Sequence, residues 1–127
     1  MKIVAKTDVG MVRESNQDSY TTGELPNGVA WAVVCDGMGG AAGGNVASST
    51  AVKVIAEQIT SSFRPGMSAN SIKNMMVSAI NAANISVYDI SCSNSELYGM
   101  GTTVVCAIVM EHIAYIAHAG DSRAYIV

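Results

Sequence analysis

GVAWAVVCDGMGGAA, residues 28–42, is the stretch on which the fold of this 127-residue chain turns. Its first eight residues are apolar, β-branched or aromatic, and Pro26-Asn27-Gly28 before them and Asp36-Gly37 after them supply turn chemistry, so they predict a buried strand. The glycine-rich half is ambiguous. Gly37-Met38-Gly39-Gly40-Ala41-Ala42 fits the G-x-G-x-x-G/A turn that seats a dinucleotide pyrophosphate between a strand and a helix. A dinucleotide unit, however, must return from its first helix into a second parallel strand that carries an acid. Here the pattern goes from helix to helix. Val46, Ala47, Ala51, Val54, Ile55 and Ile59 recur at helical spacing, with Asn45 as the expected N-cap and Pro65-Gly66 closing the segment. Ser71 then introduces Ile72, Met75, Met76, Ala79, Ile80, Ala83 and Val87 at spacings of three and four, opposed by polar Lys73, Asn74, Ser78, Asn81 and Asn84. Asp36 would also repel a pyrophosphate. The dinucleotide reading is set aside.

Outward from this centre, residues 2–6 and 19–22 are weaker strand candidates on either side of the polar segment 7–18. Residues 91–98 form a polar loop, and residues 101–110, 113–118 and 123–127 are β-branched runs joined by Glu111-His112 and Gly120-Asp121-Ser122, the pattern of an antiparallel meander. Strands, two consecutive helices and more strands predict an α+β fold in which the helix pair covers one face of an antiparallel sheet. Residues 1–127 form a single domain in this reading. Met75 and Met76, at helical spacing, belong to its core.

Half the chain is hydrophobic and only 13% is charged, against roughly 25% in ordinary soluble domains. Apolar surface is therefore expected to be covered by something else. The net charge is -3 and the seven Lys and Arg are scattered, so nucleic acid is excluded as a partner. No run approaches the roughly 18 apolar residues of a membrane span, and the N-terminal residues lack a signal core, which predicts a cytoplasmic protein without a membrane partner. Cys35, Cys92 and Cys106 are odd in number and widely spaced, the pattern of small buried hydrophobes rather than of disulfides or a thiol nucleophile.

The chemistry gathers at glycine-marked corners, where five of the ten acidic residues fall: Asp8, Glu14, Asp18, Asp36 and Asp121. A carboxylate at the end of a buried strand loses water on several sides, and a cation is the economical compensation for Asp36. Gly37 lets the backbone turn and can offer its carbonyl to the same ion. Hard cations such as Mg²⁺ or Mn²⁺ accept carboxylate, carbonyl and water together. By itself Asp36-Gly37 is equally an ordinary turn after a strand. Arg13 beside Glu14 and Asp18 offers a fork for a phosphate whose remaining charge a metal neutralises, although Arg13-Glu14 alone is also a surface ion pair. His112 and His118 are read as structural.

VRESNQD, VVCDGMGG with the helix beginning NVAS, GMGTTVV and AHAGDSRAYIV occur in this order. Together they resemble the bacterial branch of the protein phosphatase 2C family, the metal-dependent serine/threonine phosphatases. The resemblance covers residues 7–127. It implies an α-β-β-α sandwich of antiparallel sheets with a two-metal Mn²⁺ or Mg²⁺ site at one end, where a water activated between the cations attacks phosphoserine or phosphothreonine of a phosphorylated protein substrate. By the same resemblance Asp36 bridges both metals, Gly37 gives a carbonyl, Asp18 is a ligand, Glu14 acts through metal-bound water and Arg13 holds the phosphate. Asp121 would stand near a weaker metal position, while Thr102, Thr103 and Arg123 are structural.

Two departures qualify this picture. Relatives carry a histidine just past the Asp-Gly turn to protonate the leaving alkoxide, and those positions here are Met38 and Ala41; Gly44-Asn45 also replaces the usual Gly-Glu. The later Asp-Gly and Asp-Asn segments that complete the metal site are absent, so the chain is expected to be the N-terminal half of a truncated phosphatase domain. Such a half would be weak or inactive alone. A homo-oligomer or a partner chain would then cover its open edge. The alternative expectation is a non-catalytic phosphatase-like module that binds a phosphoprotein or a regulator.

Overall fold

A computed structural model describes residues 18–120, without the side chains of residues 40–42. Strand β1 (Asp18–Leu25) and strand β2 (Val29–Met38) form an antiparallel hairpin whose register runs from Asp18 opposite Asp36 to Leu25 opposite Val29. Their connection is a 3-10 turn, Pro26–Gly28, in which Pro26 presets the first position and Asn27 takes a left-handed conformation (φ 66°). Both strands outrun expectation: β1 starts at Asp18 and reaches Leu25, and β2 continues through Asp36 and Gly37 to Met38.

Helix α1 (Gly40–Ser62) begins well before Asn45, with Gly39 at its N-cap and no side-chain cap. The expected cap is therefore wrong. The chain has already turned at Gly39 (φ 125°), and the small residues 40–44 carry no apolar periodicity that could have marked a first turn. Asn45 lies inside the helix, where its carbonyl accepts the Ser49 hydroxyl at 2.7 Å. Helix α2 (Ala69–Ser93) is capped by Ser68, whose Oγ accepts the Ser71 N–H at 3.1 Å. Ser71 is thus inside the first turn rather than its start. The helix also runs past the expected loop boundary at residue 91, because Ser91 is buried and its hydroxyl accepts the Gly99 N–H at 3.2 Å. A 3-10 turn, Ser95–Leu97, comes next.

Strands β3 (Gly101–Thr102), β4 (Val104–Met110) and β5 (Ile113–Ala119) complete the sheet. Among the described residues it has five strands, in the order β1-β2-β4-β5 with β3 also on β2, and every pairing is antiparallel. That arrangement removes the parallel strand a dinucleotide site requires. The run expected as one strand over residues 101–110 is interrupted at Thr103. The strand candidates at residues 2–6 and 123–127 lie outside the described residues.

Period-two alternation divides the sheet faces. Trp31, Val33 and Cys35 of β2 and Val104, Cys106 and Ile108 of β4 face the helix pair and are buried against Ile55, Ile59, Ile72 and Met76. Each fully buried Ile contributes about 1.5–3 kcal/mol relative to exposure. Ala47, Ala51, Ala79 and Ala83 are also buried, so the helices present small residues where they approach the sheet and each other. Met75 and Met76 are core residues, as their spacing predicts. The opposite face mixes buried Ala30 and Val105 with Tyr20, Val34 and Ile116, each more than two-fifths exposed. No helix among the described residues is long and apolar enough to cross a membrane.

Candidate metal centre

Antiparallel pairing of β1 with β2 sets Asp18 directly opposite Asp36. Residues opposite each other share a face, with Cβ atoms about 4.5–5.5 Å apart, and like charges so placed repel. Two carboxylates in this relation favour positive charge between or beside them. They offer the hard oxygen donors that Mg²⁺ and Mn²⁺ prefer. Asp18 is exposed and Asp36 is half-buried, so the pair stands at the rim of the sheet. Among the described residues no group of three or more His, Cys, Asp or Glu side chains gathers to hold a metal ion.

The register continues beyond the pair. Gly37 pairs with Thr102 and Val34 with Val105, which leaves Thr103 opposite Asp36. The Thr103 N–H donates to the Asp36 carbonyl at 2.9 Å, as a ladder requires. The reciprocal bond is altered: the Asp36 N–H donates to Thr103 Oγ1 at 3.2 Å, while the Thr103 carbonyl accepts the Thr102 hydroxyl at 2.9 Å. Next to a hydrogen-bonded pair an antiparallel strand turns its polar groups to the other neighbour, so Gly37 directs its carbonyl away from Thr102. Gly37 is a buried strand residue, and the sharp turn expected there occurs at Gly39 instead.

On the far side, Val104 pairs with Ala119, so Thr103 stands beside Gly120. The approach is close, since a β-carbon on Gly120 would lie 2.7 Å from Thr103 Cγ2. One cross-strand row therefore joins Asp18, Asp36, Thr103 and Gly120, the last directly before Asp121. Corners more than a hundred residues apart in sequence meet at one sheet end. Arg13, Glu14, Asp121 and Arg123 themselves lie outside the described residues. His118 is exposed on β5 opposite Val105, on the same face as the row.

Two further contacts hold this end together. Gly39 packs on the segment before β3, where a β-carbon would come 2.6 Å from Met100 Cα. The wholly buried Ser48 of α1 meets Ser19 of β1, hydroxyl to hydroxyl at 2.9 Å, one residue from Asp18. Neither Ser48 nor the hydrogen-bonding role of Thr103 was legible as part of a site. A hydroxyl on the apolar side of α1 and the threonine pair after Gly101 were the available signals.

The thiols take no part. Cys35 and Cys106 are buried, and loss of water pushes both thiols up to about 12, far from a nucleophile's range. Cys92 is exposed on α2.

Residues 12–127 match the family signature of protein phosphatase 2C. The chain belongs to that family. It is similar to a putative protein phosphatase 2C-type protein of Streptococcus pyogenes, at 36% identity over 97% of this chain and 49% of the relative. Its fold is similar to the S. agalactiae serine/threonine phosphatase, with a TM-score of 0.83 and 30% identity over 93% of this chain and 48% of that one. It is also similar to the catalytic domain of the serine/threonine phosphatase PstP in complex with two manganese ions, with a TM-score of 0.72 and 29% identity over 93% and 47% of the two chains. The chain spans about half the length of the relatives it matches. The antiparallel sheet with its helix pair is thus the arrangement of known phosphatases of this family.

Proposed function

We propose that this chain carries part of the active site of a cytoplasmic protein serine/threonine phosphatase, with Asp18 and Asp36 as ligands of a Mn²⁺ or Mg²⁺ pair. The observation that carries this reading is the in-register opposition of Asp18 and Asp36, in a family member whose relative PstP holds two manganese ions. Divalent cations, when bound, lower the pKa of water and neutralise phosphate charge.

The chain's own residues do the rest. Asp18 and Asp36 concentrate negative charge at one point of the rim, and the Gly37 carbonyl adds a neutral oxygen beside them. Glu14 orients water and Arg13 grips the phosphate oxygens, bringing the ester into line with the attacking water. The bond between phosphorus and the seryl or threonyl oxygen breaks, the water oxygen joins phosphorus, and the released alkoxide takes a proton. Asp121, directly after Gly120 in the sequence, would serve a further, weaker cation. Met38 and Ala41 occupy the positions at which relatives place a proton-donating histidine, so solvent protonates the alkoxide. A positioned acid is worth about 10² to 10⁴ in rate, which sets the scale of the loss.

Residues 1–127 tested by themselves are expected to turn over slowly, and the outer sheet face that exposes Val34 and Ile116 is a surface for further polypeptide to cover. Met38 and Ala41 also favour a second reading, a non-catalytic module that binds a phosphoprotein. Hydrolysis of p-nitrophenyl phosphate and of a phosphothreonine peptide, with and without Mn²⁺, tests both. Weak Mn²⁺-dependent turnover lost in Asp36→Ala supports the phosphatase. Phosphopeptide binding without any turnover supports the module, and turnover indifferent to Asp36→Ala would refute the assigned ligands.

A further inference from the structure

Thr103 occupies an unusual place in the ladder. In a hydrogen-bonded antiparallel pair the two residues exchange both N–H···O=C bonds. Asp36 and Thr103 exchange only one, and the Asp36 N–H is taken by the Thr103 side chain while the Thr103 carbonyl is taken by the Thr102 hydroxyl. The Asp36 N–H is thus held by a side chain, and that side chain has little freedom, because Thr103 is buried and β-branched, with restricted χ1. The peptide so held is the one that leads into the Asp36 Cα. The Thr103 methyl meanwhile packs on Gly120, which leaves the side chain little room to turn.

We propose that Thr103 is a positioning residue of the metal centre: its hydroxyl, as acceptor of the Asp36 N–H, sets the backbone from which the Asp36 carboxylate projects. The proposal rests on the metal-site reading above and adds a residue that touches neither metal nor substrate. Thr103→Val keeps the shape and the β-branch but leaves the Asp36 N–H without its acceptor, and Thr103→Ala removes the hydroxyl with less crowding. Thr103→Ser restores the hydroxyl alone.

Mn²⁺ is titrated into the isotope-labelled 127-residue chain, and paramagnetic broadening of the amides around Asp36 is followed by NMR. Hydrogen exchange of the Asp36 amide is measured without metal. Removal of a group that orients a ligand typically costs about 10–100-fold in metal affinity, and that loss is expected for Thr103→Val and Thr103→Ala, together with faster exchange at Asp36. Thr103→Ser is expected to return Mn²⁺ affinity close to the parent value. If Thr103→Val unfolds, the comparison of Thr103→Ala with Thr103→Ser decides. Unchanged Mn²⁺ affinity in folded hydroxyl-less variants, with affinity lost in Asp36→Asn, overturns the positioning role alone. No broadening in the parent chain, or broadening unaffected by Asp36→Asn, overturns the metal-site reading and this proposal with it.

Discussion

Gly39→Ala tests whether the corner after Asp36 is held by close backbone contact. Two effects act at this position. The residue has φ 125°, and a side chain there costs about 1–3 kcal/mol in backbone strain. The new β-carbon would also stand 2.6 Å from Met100 Cα, a backbone atom that cannot swing aside, and overpacking of this kind adds about 1–3 kcal/mol. The expected loss is about 2–6 kcal/mol, a large share of the roughly 5–15 kcal/mol typical of a folded domain. Gly66→Ala is the internal control, because Gly66 also has a positive φ (84°) but nothing within 4 Å of its β-carbon position. It should lose only the strain. Trp31 is the single tryptophan and is buried in the core, so its fluorescence reports urea unfolding of both variants. Equal losses in the two, within about 0.5 kcal/mol, the usual scatter of a surface substitution, would refute the contact.

Other expectations rest on particular elements. Ser68→Ala should cost about 0.5–2 kcal/mol, because Ser68 caps α2, whereas Asn45→Ala, inside α1 and not at its cap, should stay within about 0.5 kcal/mol; urea midpoints distinguish them. Ile55→Ala should lose about 2–5 kcal/mol in the same assay, and a loss under about 1 kcal/mol would mean that α1 is not packed on the sheet as described. A colorimetric thiol reagent should titrate Cys92 rapidly in the native chain and reach Cys35 and Cys106 only on unfolding. Burial raises both buried thiols from 9.0 to about 12, so the unfolded chain releases their protons first. The stability they contribute is complete below about pH 9 and is lost progressively as pH rises toward about 12, which alkaline unfolding curves should show and a Cys35→Ala, Cys106→Ala double variant should flatten.

The strand at residues 28–35, the two consecutive helices and the β4–β5 hairpin were legible because each carries its own periodicity and turn chemistry. Helix starts were less so. The first turn of α1 is built from small residues without pattern, and its true start depends on the conformation of Gly39 and its contact with Met100, a partner some sixty residues away. Thr103 shows the same limit. Its neighbours suggested a continuous strand, and only pairing with β2 revealed that its hydroxyl replaces a carbonyl in the ladder.

Which residues are candidates for the chemistry could be read from the chain alone, since carboxylates beside glycines in a charge-poor chain are conspicuous wherever it folds, and the motif order pointed to the family. Folding was needed to bring Asp18, Asp36 and the Gly120 corner into one row, and to stand Thr103 between two of them. Register is the cause: hydrogen bonds between strands distant in sequence choose which residues face each other, and a slip of one position would turn Asp18 and Asp36 to opposite faces of the sheet.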